Sequence, residues 1–178
     1  MKVRAISLLF VLLFVSIMIN GQTGSKKRLP TIATSGKRSA DAEIRKWLDD
    51  WAKAFRAHDV RAVMSLYAPD VVAYDIVPPL QFVGAKNYGK DYEEFMSAYD
   101  GPIDVEYRDL HIFASGNIAF VACLERLGGT LKNGQRSDVW VRLTSGFKKI
   151  NGKWLDIHDH VSVPADFESG KAVLDLKP

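Results

Sequence analysis

The chain has 178 residues, 47% hydrophobic and 25% charged, a balance that excludes wholesale disorder and a multi-span membrane protein. Past the N-terminal stretches described next, about 140 residues remain, enough for one domain with one core and too few for two. The formal charge of +3 arises at the N-terminus: residues 1–38 hold seven Lys or Arg and no acid, whereas from Ser39 onward 17 basic residues face 21 acidic ones, net −4. That sign gives no broad attraction to phosphates and argues against a nucleic-acid partner.

Residues 1–21 place Lys2 and Arg4 before a 14-residue apolar stretch, Ile6 to Ile19, and then Asn20-Gly21. This reads as a cleavable secretory signal peptide; the alternative, a retained anchor, falls short of the ~20 residues a bilayer requires. The expected location is therefore secreted or periplasmic, with no stable membrane anchor. Residues 22–38 are rich in Lys, Ser, Thr and Gly without apolar period and read as a flexible basic linker, leaving residues 39–178 as the domain. Cys123 is the single cysteine, so no internal disulfide and no cysteine-rich metal cage is available.

Ser39 or Asp41 can cap a helix whose Ile44, Trp47, Leu48, Trp51, Ala52 and Phe55 recur at three- and four-residue steps. His58-Asp59 breaks and recaps it, and Val60, Val63, Met64 and Tyr67 form the stripe of a second helix stopping at Pro69. Val71 to Ile76 reads as a short strand and Gly84 to Tyr99 as a third helix. From Pro102 onward β-branched and aromatic runs alternate with turn residues, and the Asn133-Gly134 and Asn151-Gly152 pairs signal hairpins. Strands near 103–114, 117–132, 135–150 and 153–163 are thus expected as an antiparallel meander. Three helices followed by a curled sheet is an α+β arrangement, with the helices covering one face.

Two-residue Asn-Gly loops also fix which side chains share a face. With both loops symmetric, Phe147 stands opposite Asp156, Leu143 opposite His160, Phe120 opposite Phe147 and Arg126 opposite Val141. One face then carries Phe120, Leu124, Arg126, Val141, His158, His160 and Ser162, joined by Tyr107 and His111 if the Ser115 turn is also even. The other carries Glu125 across from Arg142, with Cys123, Trp140 and Asp159, an apolar face with an ion pair that suits self-association. An odd loop or a bulge would exchange the faces of one strand.

Trp51 to Asp75 (WAKAFRAHDVRAVMSLYAPDVVAYD) and Ser145 to Pro164 (SGFKKINGKWLDIHDHVSVP) resemble the SnoaL-like and ketosteroid-isomerase-like branch of the nuclear transport factor two-like superfamily. The resemblance implies a cystatin-like α+β roll: a cone-shaped, curved antiparallel sheet wrapped around three N-terminal helices, with a blind pocket and commonly a homodimer through the outer sheet face. It also places Asp75 where ketosteroid isomerase carries its general base. The two proton donors of that enzyme's oxyanion hole fall on Trp51 and close to Gly146, neither of which can fill that role.

The candidate catalytic residues are Asp75, whose burial would raise its pKa towards neutrality, and His158 and His160, which share one side of a strand. Against these stand a capping carboxylate and an internal histidine network. Trp51, Tyr67, Tyr74, Tyr92, Tyr107, Arg126 and Ser162 are the candidate ligand contacts, their flat faces suiting a small apolar or aromatic molecule. A His-x-His pair could hold a metal only if Asp75 or His111 converged on it, so neither metal nor cofactor is expected. The reading is a domain that binds an apolar carbonyl compound and moves a proton on it, in the manner of an isomerase, cyclase or lyase. The alternative is a non-catalytic dimerisation module with a vestigial pocket. A cavity joining Asp75 to the histidines separates the two.

Overall fold

A computed structural model describes residues 34–178, with side chains from residue 40 onward. The leader and most of the linker lie outside the described residues. Helix α1 spans Thr34–Arg56, so the last five residues assigned to the linker are helical. No helix among the described residues is long and apolar enough to cross a membrane. The expected stripe forms, with Ile44, Trp47, Leu48, Trp51 and Phe55 all buried. His58 adopts φ +56°, and Asp59 accepts from the Ala62 amide at 2.9 Å, capping α2, Val60–Met64.

The second helix ends sooner than Pro69 would require, because the chain is already extended in β1, Tyr67–Tyr74. Pro69, which has no N–H to donate, sits where the register of β1 slips between Tyr67 and Val72. A short β2, Phe82–Val83, precedes α3, Ala85–Ser97. The remaining strands are β3, Asp104–Ser115, β4, Ile118–Thr130, β5, Arg136–Ile150, and β6, Lys153–Ser162. They run in the order β2-β1-β6-β5-β4-β3 in one six-stranded sheet, with β1 parallel to β6 and the other pairs antiparallel. A two-residue hairpin of β7, Ala165–Asp166, and β8, Lys171–Ala172, follows. The architecture is the α+β roll, its curved sheet closed over α1 and α3.

Two of the assumed registers are one residue off in part, and each shift has a visible cause. The Asn151-Gly152 loop is symmetric, both residues having positive φ (50° and 80°), and Phe147 pairs with Asp156 as expected. Ile157 is then left over as a bulge, because Gly146 pairs with His158 and the Asp156 carboxylate takes the His158 amide at 2.9 Å. The loop at Asn133-Gly134 is odd. Gly134 N–H bonds Leu131 O and Leu131 N–H bonds Gln135 O, both at 2.8 Å, with Gly134 at φ +82°, the pattern of a turn followed by a bulged glycine. Phe147 therefore opposes Ala119 and not Phe120.

The consequence is an exchange of faces. Ala119, Val121, Cys123 and Glu125 of β4 point into the roll with Val141, Leu143, Ser145 and Phe147 of β5 and Asp159 of β6. The half expected inside carries its histidines outside. Across the sheet Phe113, Phe120, Gly146 and His158 form one rung, and His111, Ala122, Thr144, His160 and Tyr74 the next. Phe113 and Phe120 stack at 4.5 Å while half exposed. A third bulge, at Asp109 (φ +51°) between Arg108 and His111, separates Tyr107, which faces in, from His111, which faces out.

Candidate functional site

Between α1, α3 and the concave face of the sheet lies a cavity of about 420 Å³, within the range of small-molecule sites. Its walls are apolar, Trp47, Leu48, Trp51, Phe55, Leu143 and Val161 among them. Its mouth is edged by the exposed Ile76 and Val77 and by Glu94.

Asp75 lies just past the end of β1 and lines this cavity. Its Oδ1 accepts from the Ile76 amide at 2.6 Å and its Oδ2 from the Tyr88 hydroxyl at 3.1 Å. Burial raises its pKa, the two hydrogen bonds opposing that rise and the nearby Asp159 adding to it. Asp91 of α3 is pushed up to about 6 by burial and by the charges of Asp75 and Glu94.

A phenol network fills the interior. The Tyr67 hydroxyl donates to Asp159 Oδ2 at 2.9 Å, and its oxygen accepts from Trp51 Nε1 at 3.1 Å. With its own proton committed to Asp159, Tyr67 receives that of Tyr92, 2.9 Å away. Ser145 Oγ donates to Asp159 Oδ1 at 2.5 Å. Burial raises the pKa of Tyr67, Tyr88 and Tyr92, so all three stay neutral. Burial also raises Asp156 and Asp159, the Asp159 charge adding to the rise of Asp156 and the hydrogen bond from Ser145 opposing that of Asp159.

Two polar groups stand apart from this network. Glu125 is only 4% exposed, lines the cavity, and its Oε1 has no hydrogen-bond partner. Tyr107, its cross-strand neighbour, also lines the cavity with an unpartnered hydroxyl. Burial and then the charges of Asp159 and Asp75 push Glu125 up to about 8, the neighbouring Tyr107 hydroxyl opposing the rise, so at neutral pH it is a carboxylic acid with a proton to give.

Of the residues singled out by sequence, Asp75, Trp51, Tyr67, Tyr92 and Tyr107 line the cavity. His158, His160, Tyr74, Arg126 and Ser162 do not. The Ile157 bulge turns His158 and His160 outward, where both rings stand edge-on to Tyr74, at 4.9 and 5.7 Å, and where His158 Nδ1 bonds Val72 O at 2.8 Å. Arg126, one residue out of phase with Glu125, pairs outside with Asp138 at 2.5 Å, and Ser162 stands opposite the exposed Arg142. The expected Glu125–Arg142 pair does not form, because the odd loop puts Arg142 opposite Leu124. The face holding Cys123, Glu125 and Asp159 is the interior and not a self-association surface. No cluster of three or more metal-ligating side chains occurs among the described residues. Sequence reasoning missed Glu125, Ser145 and Asp159 as site residues; for Glu125 the one signal was the parity of the 131–135 loop, which Asn133 fixes by accepting the Gln135 amide at 3.0 Å, while Asp159 turns inward only through the Ile157 bulge and Ser145 shares the inward parity of Val141, Leu143 and Phe147.

A curved sheet closed over helices around an interior cavity is an architecture this chain shares with nuclear transport factor two-like proteins. The chain belongs to the SnoaL-like domain family, whose profile matches residues 44–166. Among solved structures it is similar to a nuclear transport factor two-like protein of unknown function from Pseudomonas putida, at 35% identity, TM-score 0.72, over 79% of this chain and 98% of that one. A nuclear transport factor two-like superfamily protein from Salmonella enterica shares the fold at 20% identity and TM-score 0.66, over 79% of this chain and 100% of that one. So does a ketosteroid isomerase-like protein from Erwinia carotovora, at 21% identity and TM-score 0.58, over 68% of this chain and 93% of that one. Among curated proteins nothing matches the chain.

Proposed function

We propose that the cavity binds a small, largely apolar carbonyl compound and that the protein transfers a proton on it. The observation that carries this reading is the pairing, in one apolar cavity, of a proton acceptor with polar groups left unsatisfied by the protein: Asp75 past the end of β1, and Glu125 and Tyr107 on β4 and β3. Asp75 would take a proton from the carbon beside the carbonyl. The electron pair then moves onto the carbonyl oxygen, which accepts hydrogen bonds from the Glu125 carboxylic acid and the Tyr107 hydroxyl. A carboxylic acid kept neutral by an apolar site so that it can donate is an established device for such oxyanions. These donors replace the pair that Trp51 and Gly146 cannot supply. The cavity holds Asp75 but not His158 or His160, so the histidines have no part in this reading; what favours it over a vestigial pocket is the open volume of about 420 Å³.

The test is hydrogen–deuterium exchange of 2-tetralone, an enolisable bicyclic ketone, followed by NMR in heavy water, together with mass spectrometry of molecules that copurify with the chain. Asp75→Asn is expected to slow exchange by about 10²- to 10⁴-fold with binding retained. A wild-type chain that neither accelerates exchange nor carries or binds any small molecule overturns the reading.

Two wider proposals go with it. The half-exposed Phe113, Phe120 and Tyr74 of the outer sheet face support a homodimer through that face, with a composition different from the one expected. The leader-like residues 1–21 support secretion or a periplasmic location. Sedimentation equilibrium with Phe120→Asp, and N-terminal sequencing of the exported chain, test these separately.

A further inference from the structure

The charged groups that line this cavity are all acidic. Asp75, Asp91, Glu94, Glu125 and Asp159 line it, and among the described residues no Lys, Arg or His does. Asp91 and Glu94 sit three residues apart on α3, next to one another on the helix surface, and neither forms an ion pair among the described residues. Both are at the mouth, beside the part-exposed ring of Phe95. Deeper in, Glu125 is nine-tenths buried with an oxygen that no protein group satisfies.

We infer that the ligand carries a protonated amine: its ammonium seats at the mouth against Asp91, Glu94 and the Phe95 ring, its apolar body fills the aromatic interior, and an oxygen reaches Glu125 and Tyr107. This deepens the function proposed above and rests on the cavity being a ligand site. The chemistry follows from charge. Proton removal beside a carbonyl builds negative charge in a cavity that already holds only acids, and the available donors there are neutral. A ligand bringing its own cation offsets that excess, relieves the repulsion from Asp75 and Glu94 that adds to burial in raising Asp91 to about 6, and gains a cation–π contact. A carboxylate or phosphate at the mouth meets repulsion from Asp91 and Glu94.

One ring frame in three charge states tests the inference by calorimetry: 2-aminotetralin, a cation at neutral pH, 2-tetralone, neutral, and tetralin-2-carboxylate, an anion. The amine is expected to bind about tenfold more tightly than the ketone, and the carboxylate not to bind measurably. In Asp91→Asn/Glu94→Gln the amine should fall to the level of the ketone while the ketone's affinity is unchanged. Glu125→Gln, which leaves the mouth intact, should keep the preference for the amine. Equal affinity of amine and ketone for the wild type, or binding of the carboxylate, overturns the inference and leaves the cavity's ligand-binding role standing. Binding of none of the three overturns both.

Discussion

Glu125→Gln keeps the shape of the side chain and removes its charge, so it isolates the cost of a carboxyl group buried without a base. The group moves from 4.5 to about 8 on folding, first through burial and then through the charges of Asp159 and Asp75. Between those two values the folded chain holds a proton that the unfolded chain has released. Stability therefore falls as pH rises through that window, and the full stabilisation is present only below about pH 4.5. At ~1.36 kcal/mol per pKa unit the whole displacement is worth about 5 kcal/mol, of which about 3 kcal/mol is already lost at pH 7. Gln does not titrate. The stability of the variant minus that of the wild type should thus rise from a constant low-pH value by about 3 kcal/mol at pH 7 and about 5 kcal/mol at pH 9. Urea unfolding of both chains from pH 4.5 to 9 reads this difference directly, and in thermal unfolding the pH 7 rise corresponds to a gap of about 6–12 °C. A difference that stays flat across the range would refute both the burial argument and the neutral donor on which the proposed chemistry depends.

Tyr67→Phe removes the hydroxyl that accepts from Trp51 and Tyr92 and donates to Asp159; leaving those groups unpaired should cost about 1–3 kcal/mol in urea unfolding. Gly129→Ala would place a Cβ 2.8 Å from Tyr99 Cδ1, and because that ring is buried and its hydroxyl is bonded to Ser137, a loss of about 1–3 kcal/mol is expected from the same measurement. His160→Ala, on the outer face, should leave 2-tetralone affinity in calorimetry unchanged; a large loss would contradict the outward placement of β6's histidines.

Local sequence was enough to place most elements. Apolar spacing from Ile44 to Phe55 sets the first helix, Asp59 caps the second, and the positive-φ Asn151-Gly152 pair closes the last hairpin at the expected register. Asp75 and the aromatic residues Trp51, Tyr67, Tyr92 and Tyr107 could likewise be nominated for the cavity from their positions. Which way each strand faces was decided only by the assembled sheet. Side chains alternate with a period of two, so one extra residue, Ile157 in β6 or the three-residue loop Lys132–Gly134, reverses everything beyond it. Those shifts sent His158, His160 and Arg126 outside and brought Glu125 and Asp159 in. Neither shift is written in residue type. Asn133-Gly134 suits a two-residue turn as well as a longer one, and the bulge at Ile157 is held by Asp156 capping the His158 amide while Asp156 itself is buried between β1 and β5, a contact that exists only once distant strands have come together.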